Sequence, residues 1–193
     1  KHTFEAWRDD AVQAYEYLLS RGYTGEDIVV GGDSAGGHLT LVLLQTLRDR
    51  GLPLPSAAIC ISPWTDLSCE SPSIRDNERR DPMIPAPTLR TLSQFLLRDR
   101  DPYDALVSPL HGDFSGLPPM FIIVGSTEVL RDDSRRLAAC AQAAGVPVRY
   151  EEWHRMPHVF PIFAAILPEG RSAFEHMREF IRGVKIQRKA QAA

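Results

Sequence analysis

The chain has 193 residues, 44% of them hydrophobic and 24% charged, with a formal charge of −3. That length suits one domain with a sizeable core, and the charge balance offers no basic surface for a nucleic-acid partner. No window approaches the roughly 18 apolar residues of a membrane span, and the opening Lys1-His2-Thr3-Phe4-Glu5 has no apolar leader core. The three cysteines, Cys60, Cys69 and Cys140, are odd in number. No pair has metal-ligand spacing, so no metal is expected, and free thiols in a reducing compartment are. A cytoplasmic protein is the expectation, although an exported chain whose leader lies outside these residues would read the same.

In chain order, Phe4, Trp7, Ala11, Tyr15 and Leu18 recur at helical spacing and predict an amphipathic helix, ended by Gly22 in the left-handed conformation. Asp27 to Gly32 is a short β-branched run without polar alternation, the mark of a buried parallel strand. From Ala35 to about Asp49 apolar residues cover most of a helix's circumference, so that helix should be well buried, with Gly51 as its stop. Ala57 to Ile61 predicts the next strand.

The stretch from Cys69 to Pro109 is charged and proline-rich, with one good helical segment, Thr88 to Leu97, whose apolar face is Leu89, Leu92, Phe95 and Leu96. A connection this long is uncommon unless functional, so residues 69–109 read as a lid-like insertion within a single domain spanning 1–193. Met120 to Val124 predicts a third strand. A helix from about Asp133 to Ala144, a strand from Val146 to Trp153 and a helix from about Arg171 to Arg182 follow. The last helix should carry Phe174, Met177 and Ile181 on one face, with a frayed polar tail after Val184. The pattern is that of an open, mostly parallel α/β sheet with helices on both faces.

Gly32-Asp33-Ser34-Ala35-Gly36 fits Gly-x-Ser-x-Gly between a strand and a helix. The sharp turn forces the serine into a strained conformation and pushes its hydroxyl out of the sheet's end. The flanking glycines remove side chains that would clash across the turn. Ser34 is the predicted nucleophile, with the N–H of Ala35 placed to donate to an oxyanion.

A serine hydroxyl needs a base, and the base needs an acid to orient it, in the chain order serine, acid, histidine. Of the six histidines, His154 and His158 follow the last strand; His158, in a loop entering an apolar segment, is preferred as the base. Glu128 is the first carboxylate after the third strand. Asp132 and Asp133 come next, but N-capping and the helix dipole explain acidic residues there. Met83, Ile84 and the apolar face near Phe95 are candidates to line an acyl pocket, and Asp33 and Val159 are further candidates for the substrate pocket.

With these residues placed, the chain resembles the hormone-sensitive-lipase-like bacterial esterases of the α/β-hydrolase superfamily. The resemblance rests on Phe4–Asp10, the elbow Gly32–Gly37, Ile61-Ser62-Pro63-Trp64-Thr65-Asp66-Leu67, Glu128–Asp132 and Met156-Pro157-His158-Val159-Phe160. It implies a carboxylesterase for small esters with short to medium acyl chains, no cofactor, and Glu128 as the acid where the family usually has aspartate. It also implies possible dimerisation through Val146–Trp153 and Arg171–Arg182. The family's His-Gly-Gly-Gly motif, which supplies further oxyanion donors, does not occur in these residues. The expectation is therefore that the N-terminal strands and cap belong to a missing part of a longer protein. A ligand-binding protein on the same fold, or an amidase or peptidase with the same triad, would share these features.

Overall fold

A computed structural model describes residues 3–191. Four parallel strands, β1 (Val29–Asp33), β2 (Ala57–Ile61), β3 (Met120–Gly125) and β4 (Val148–Trp153), lie in the order β1-β2-β3-β4. Among the described residues six α-helices accompany them: α1 (Phe4–Ser20), α2 (Ala35–Asp49), α3 (Ser73–Asp76), α4 (Ala86–Leu97), α5 (Arg131–Ala143) and α6 (Pro168–Gln191).

The period-2 geometry of the two central strands sorts the core. Ala58, Cys60, Met120 and Ile122 face Leu41 and Leu44 of α2 and Leu137 and Ala141 of α5. The alternate residues Ile59, Phe121 and Ile123 face Ala173 and Met177 of α6 and Phe160. Both faces of β3 are thus covered, which is why its sequence is apolar without alternation. Cys60 is enclosed in this layer, and burial pushes its thiol up to about 12. Among the described residues no helix is long and apolar enough to cross a membrane.

The expected elements are present, with shifts that have physical causes. In α1 the buried residues are Phe4, Val12 and Tyr15, while Trp7 and Leu18 are each 36% exposed. Val12 and Tyr15 pack with Leu43 and Leu47, so α1 lies on α2. Asp27 belongs to a 3₁₀ turn, Gly25–Asp27, and β1 starts two residues later at Val29. Gly22, Gly51 and Gly145 all have the positive φ expected of helix stops.

The last helix is longer than its apolar pattern. It runs to Gln191 instead of fraying after Val184. The residues past Val184 are mostly Lys, Arg, Gln and Ala, good helix formers whose intrinsic propensity sustains a helix. On its inner side Met177 is buried, whereas Phe174 is 49% exposed.

Candidate active site

The strand-to-helix turn after β1 carries Ser34 at φ 52°, ψ −117°. This is a left-handed φ that a side chain tolerates only when the surroundings impose it. The surroundings do: the Ser34 N–H donates to the Ile61 carbonyl at 2.9 Å, and its carbonyl accepts from the N–H groups of His38 and Trp64. A Cβ on Gly32 would sit 2.2 Å from the Gly36 carbonyl oxygen, and one on Gly37 would sit 2.6 Å from the Pro63 Cβ. A Cβ on Gly36 would meet nothing within 4 Å. The steric reading of the flanking glycines therefore holds for Gly32 and fails for Gly36, which instead helps to line an open cavity. Ala35 opens α2, so its N–H precedes the intrahelical bonds and is exposed at the helix's positive end.

Glu128 follows β3 and is fully buried. Its Oε2 lies 2.8 Å from His158 Nδ1. Its Oε1 accepts from the Gly125 N–H and, at 2.8 Å, from the Ser62 hydroxyl. Burial pushes the Glu128 carboxyl up from its ordinary range, against the opposing pull of the His158 imidazole. Gly125 has no room for a side chain, because a Cβ there would lie 2.0 Å from the Met156 carbonyl oxygen.

His158 sits in a loop after β4 that contains two left-handed residues, Arg155 and Val159. The Val159 N–H donates to the Ser62 hydroxyl at 3.1 Å. Ser62 thus touches both the acid and the residue after the histidine, while its neighbour Ile61 holds the backbone of Ser34. Thr127 adds a bond of 2.7 Å from its hydroxyl to the Met156 carbonyl, tying the acid loop to the histidine loop. With Nδ1 engaged by Glu128, the free ring nitrogen is Nε2. Among the described residues it makes no hydrogen bond to the Ser34 hydroxyl.

The other candidates have other partners. His154 is exposed. Asp132 and Asp133 lie in the first turn of α5, but their carboxylates reach across the molecule instead of capping it. Asp132 accepts from the Ser73 N–H at 2.9 Å and pairs with Arg131 and Arg135. Asp133 accepts from the N–H groups of Thr65 and Asp66 and from the Ser71 hydroxyl. Its burial pushes the carboxyl up to about 6.

Beside Ser34 opens an apolar cavity of about 670 Å³. Its floor is the first turns of α2, and its walls include Met83, Ile84, Leu89 and Leu92, with Trp7 of α1. Met83 and Ile84 stand where the pocket was expected. Asp33 and Val159 are not among the residues that line it: Asp33 is exposed at the end of β1, and Val159 is buried within the histidine loop. Phe95 is 68% exposed and faces away, because the inner side of α4 is set by Leu89, Leu92 and Leu96. His38, one turn after Ser34, is a wall residue that the chain order could not flag. Burial pushes its imidazole down to about 4 and keeps it neutral.

A family model described as an α/β-hydrolase fold matches residues 1–162. The chain belongs to the α/β-hydrolase fold family. Among its curated relatives, an acetyl-hydrolase of Streptomyces hygroscopicus is 47% identical over 179 residues, covering 93% of this chain and 60% of the relative. An esterase of Acinetobacter venetianus is 35% identical over 181 residues, with the same shares. A solved esterase from the bacterial hormone-sensitive lipase family superposes with a TM-score of 0.91 at 42% identity, covering 95% of this chain and 62% of that one. The motif resemblance to that branch of the α/β hydrolases is thus matched in three dimensions. The chain spans about 60% of the length of these relatives.

Proposed function

We propose that this chain carries the nucleophile, base and acid of a carboxylic ester hydrolase, with Ser34, His158 and Glu128 in those roles. The observation that carries the reading is the 2.8 Å bond between Glu128 and His158 Nδ1. It joins the loops after β3 and β4, at the same end of the parallel sheet as the strained Ser34. The similarity to proteins named acetyl-hydrolase and esterase supports the reaction class.

In this reading His158 Nε2 takes the proton of the Ser34 hydroxyl as its oxygen attacks the ester carbonyl. The negative charge on the carbonyl oxygen is stabilised by the Ala35 N–H together with further donors. His158 then gives the proton to the departing alkoxide, and the alcohol leaves an acyl-Ser34. Water, deprotonated by the same nitrogen, attacks the acyl group; the proton returns to Ser34 and the carboxylic acid departs. Glu128 fixes the tautomer that leaves Nε2 unprotonated and stabilises the imidazolium between the two proton transfers. The apolar cavity accepts an acyl chain of short to medium length, its volume lying within the usual range of small-molecule pockets. Residues 69–109 act as part of the cap over it.

The test is Ser34→Ala in the full-length protein. Hydrolysis of p-nitrophenyl butyrate should fall at least about 10⁴-fold, and covalent labelling by a fluorophosphonate should disappear. Labelling that survives the substitution would refute the assignment.

A further inference from the structure

One carboxylate joins the wall of the cavity to the loop of the proposed catalytic acid. Asp81 lies between α3 and α4 and is only 9% exposed. Its Oδ1 accepts the N–H groups of Met83 at 2.9 Å and Ile84 at 3.0 Å, closing a local turn around Pro82. Its Oδ2 reaches 48 residues along the chain and accepts the N–H of Val129 at 2.9 Å. Val129 is the residue after Glu128, and Met83 and Ile84 line the cavity beside Ser34.

The local turn needs one oxygen. The second serves only the contact with the acid loop. The same junction is reinforced one helical turn earlier: Asn77 donates its amide to the carbonyls of Ser126 and Glu128, at 3.0 and 2.8 Å. The Asp81 N–H donates to the Asn77 carbonyl. Residues 77–84 therefore form a brace with one end in the wall and the other on the loop that aims Glu128 at His158.

We infer that Asp81 is a positioning residue that sets the acyl-side wall and the Glu128 loop relative to each other, so that turnover and chain-length selectivity depend on one side chain. This rests on the ester-hydrolase reading. Asparagine at position 81 keeps one acceptor oxygen and turns a donor toward either the local turn or Val129. Serine keeps an acceptor for the turn but cannot span to Val129.

The experiment compares the full-length protein with Asp81→Asn and Asp81→Ser on p-nitrophenyl acetate and p-nitrophenyl octanoate. Rates are expressed per Ser34 titrated by fluorophosphonate. Both variants should lose about tenfold in kcat on the acetate, the scale of a slightly misplaced catalytic group. The ratio of kcat/KM between the two esters should shrink by about threefold or more as the wall loosens. If either variant lowers only the titratable fraction while the kinetics of the remaining sites match the unmutated protein, Asp81 is merely structural and the inference falls. An unmutated protein that neither labels nor hydrolyses either ester refutes the ester reading itself.

Discussion

Ser34 and the Glu128–His158 pair are held by different means. On the serine side the constraint is backbone: a left-handed φ, three main-chain hydrogen bonds, and a Gly32 with no room for a Cβ. On the acid side it is a mesh of side chains. Ser62, Asn77, Asp81 and Thr127 each cross between loops that are far apart in sequence. A backbone constraint is strict, because no rotamer relieves it. A side-chain mesh is graded, because removing one strand leaves the others. The two sides should therefore fail differently under mutation.

The largest effect belongs to the hydrogen bond at the centre of the mesh. If Glu128 plays the proposed role, Glu128→Gln keeps the shape but removes the charge that would stabilise an imidazolium, and its amide favours the wrong tautomer. It should lower kcat by about 10³–10⁴ with little change in KM. Ser62→Ala removes one of the donors to Glu128 Oε1 and the acceptor of the Val159 N–H, yet leaves Gly125 and His158 in contact with the carboxylate. Its loss should be nearer tenfold. Steady-state kinetics on one ester would rank the two, and equal losses would show that the mesh is not graded.

The serine side offers the contrary test. Gly32→Ala places a methyl group 2.2 Å from a carbonyl oxygen of the elbow, and the nearest atoms are all Gly36 backbone, which has no rotamer to move aside. Destabilisation of about 3 kcal/mol or outright failure to fold is expected. Gly36→Ala meets no atom within 4 Å and lies in α2, where alanine is the better helix former by up to about 1 kcal/mol. It should keep or raise stability while raising KM, since the new methyl group enters the cavity mouth. Urea denaturation and kinetics on the two variants would decide. Similar stability losses for both would mean that the elbow is not sterically strained at Gly32.

The same contrast explains what was legible in the sequence. Strict backbone constraints leave a local mark, and Gly32-x-Ser34 is readable because the clash that requires glycine arises within five residues. β2 and β3 were readable because burial on both faces makes their runs continuously apolar. The mesh was not readable. Ser62 meets Glu128 across 66 positions, and nothing near either residue announces the other. The partners of the first-turn acids of α5 are hidden for the same reason. A helix dipole accounts for an aspartate there locally, whereas Asp133 is in fact spent on Thr65, Asp66 and Ser71. The end of α6 is not legible because helix propensity alone leaves no periodic apolar pattern.

Asp133 yields the smallest expected effect and the one with a definite sign. It is as buried as Glu128 but holds the loop after β2 rather than a histidine. Burial pushes its carboxyl from 3.8 up to about 6, so the folded chain binds this proton more tightly than the unfolded chain does. Between pH 7 and pH 5 the native state then takes up a proton that the unfolded state takes up only lower. Lowering the pH across that window favours the fold by about 1 kcal/mol through this group. Asp66, held down by hydrogen bonds to Ser68 and Arg136 despite its burial, works in the opposite sense and only at lower pH. Asp133→Asn has no proton to bind. The stability advantage of the unmutated protein over this variant, measured by urea denaturation, should therefore grow as the pH falls from 7 to 5. An advantage that shrinks over the same range would mean that the donors around Asp133 outweigh its burial, and that its carboxylate ionises more readily than one in water.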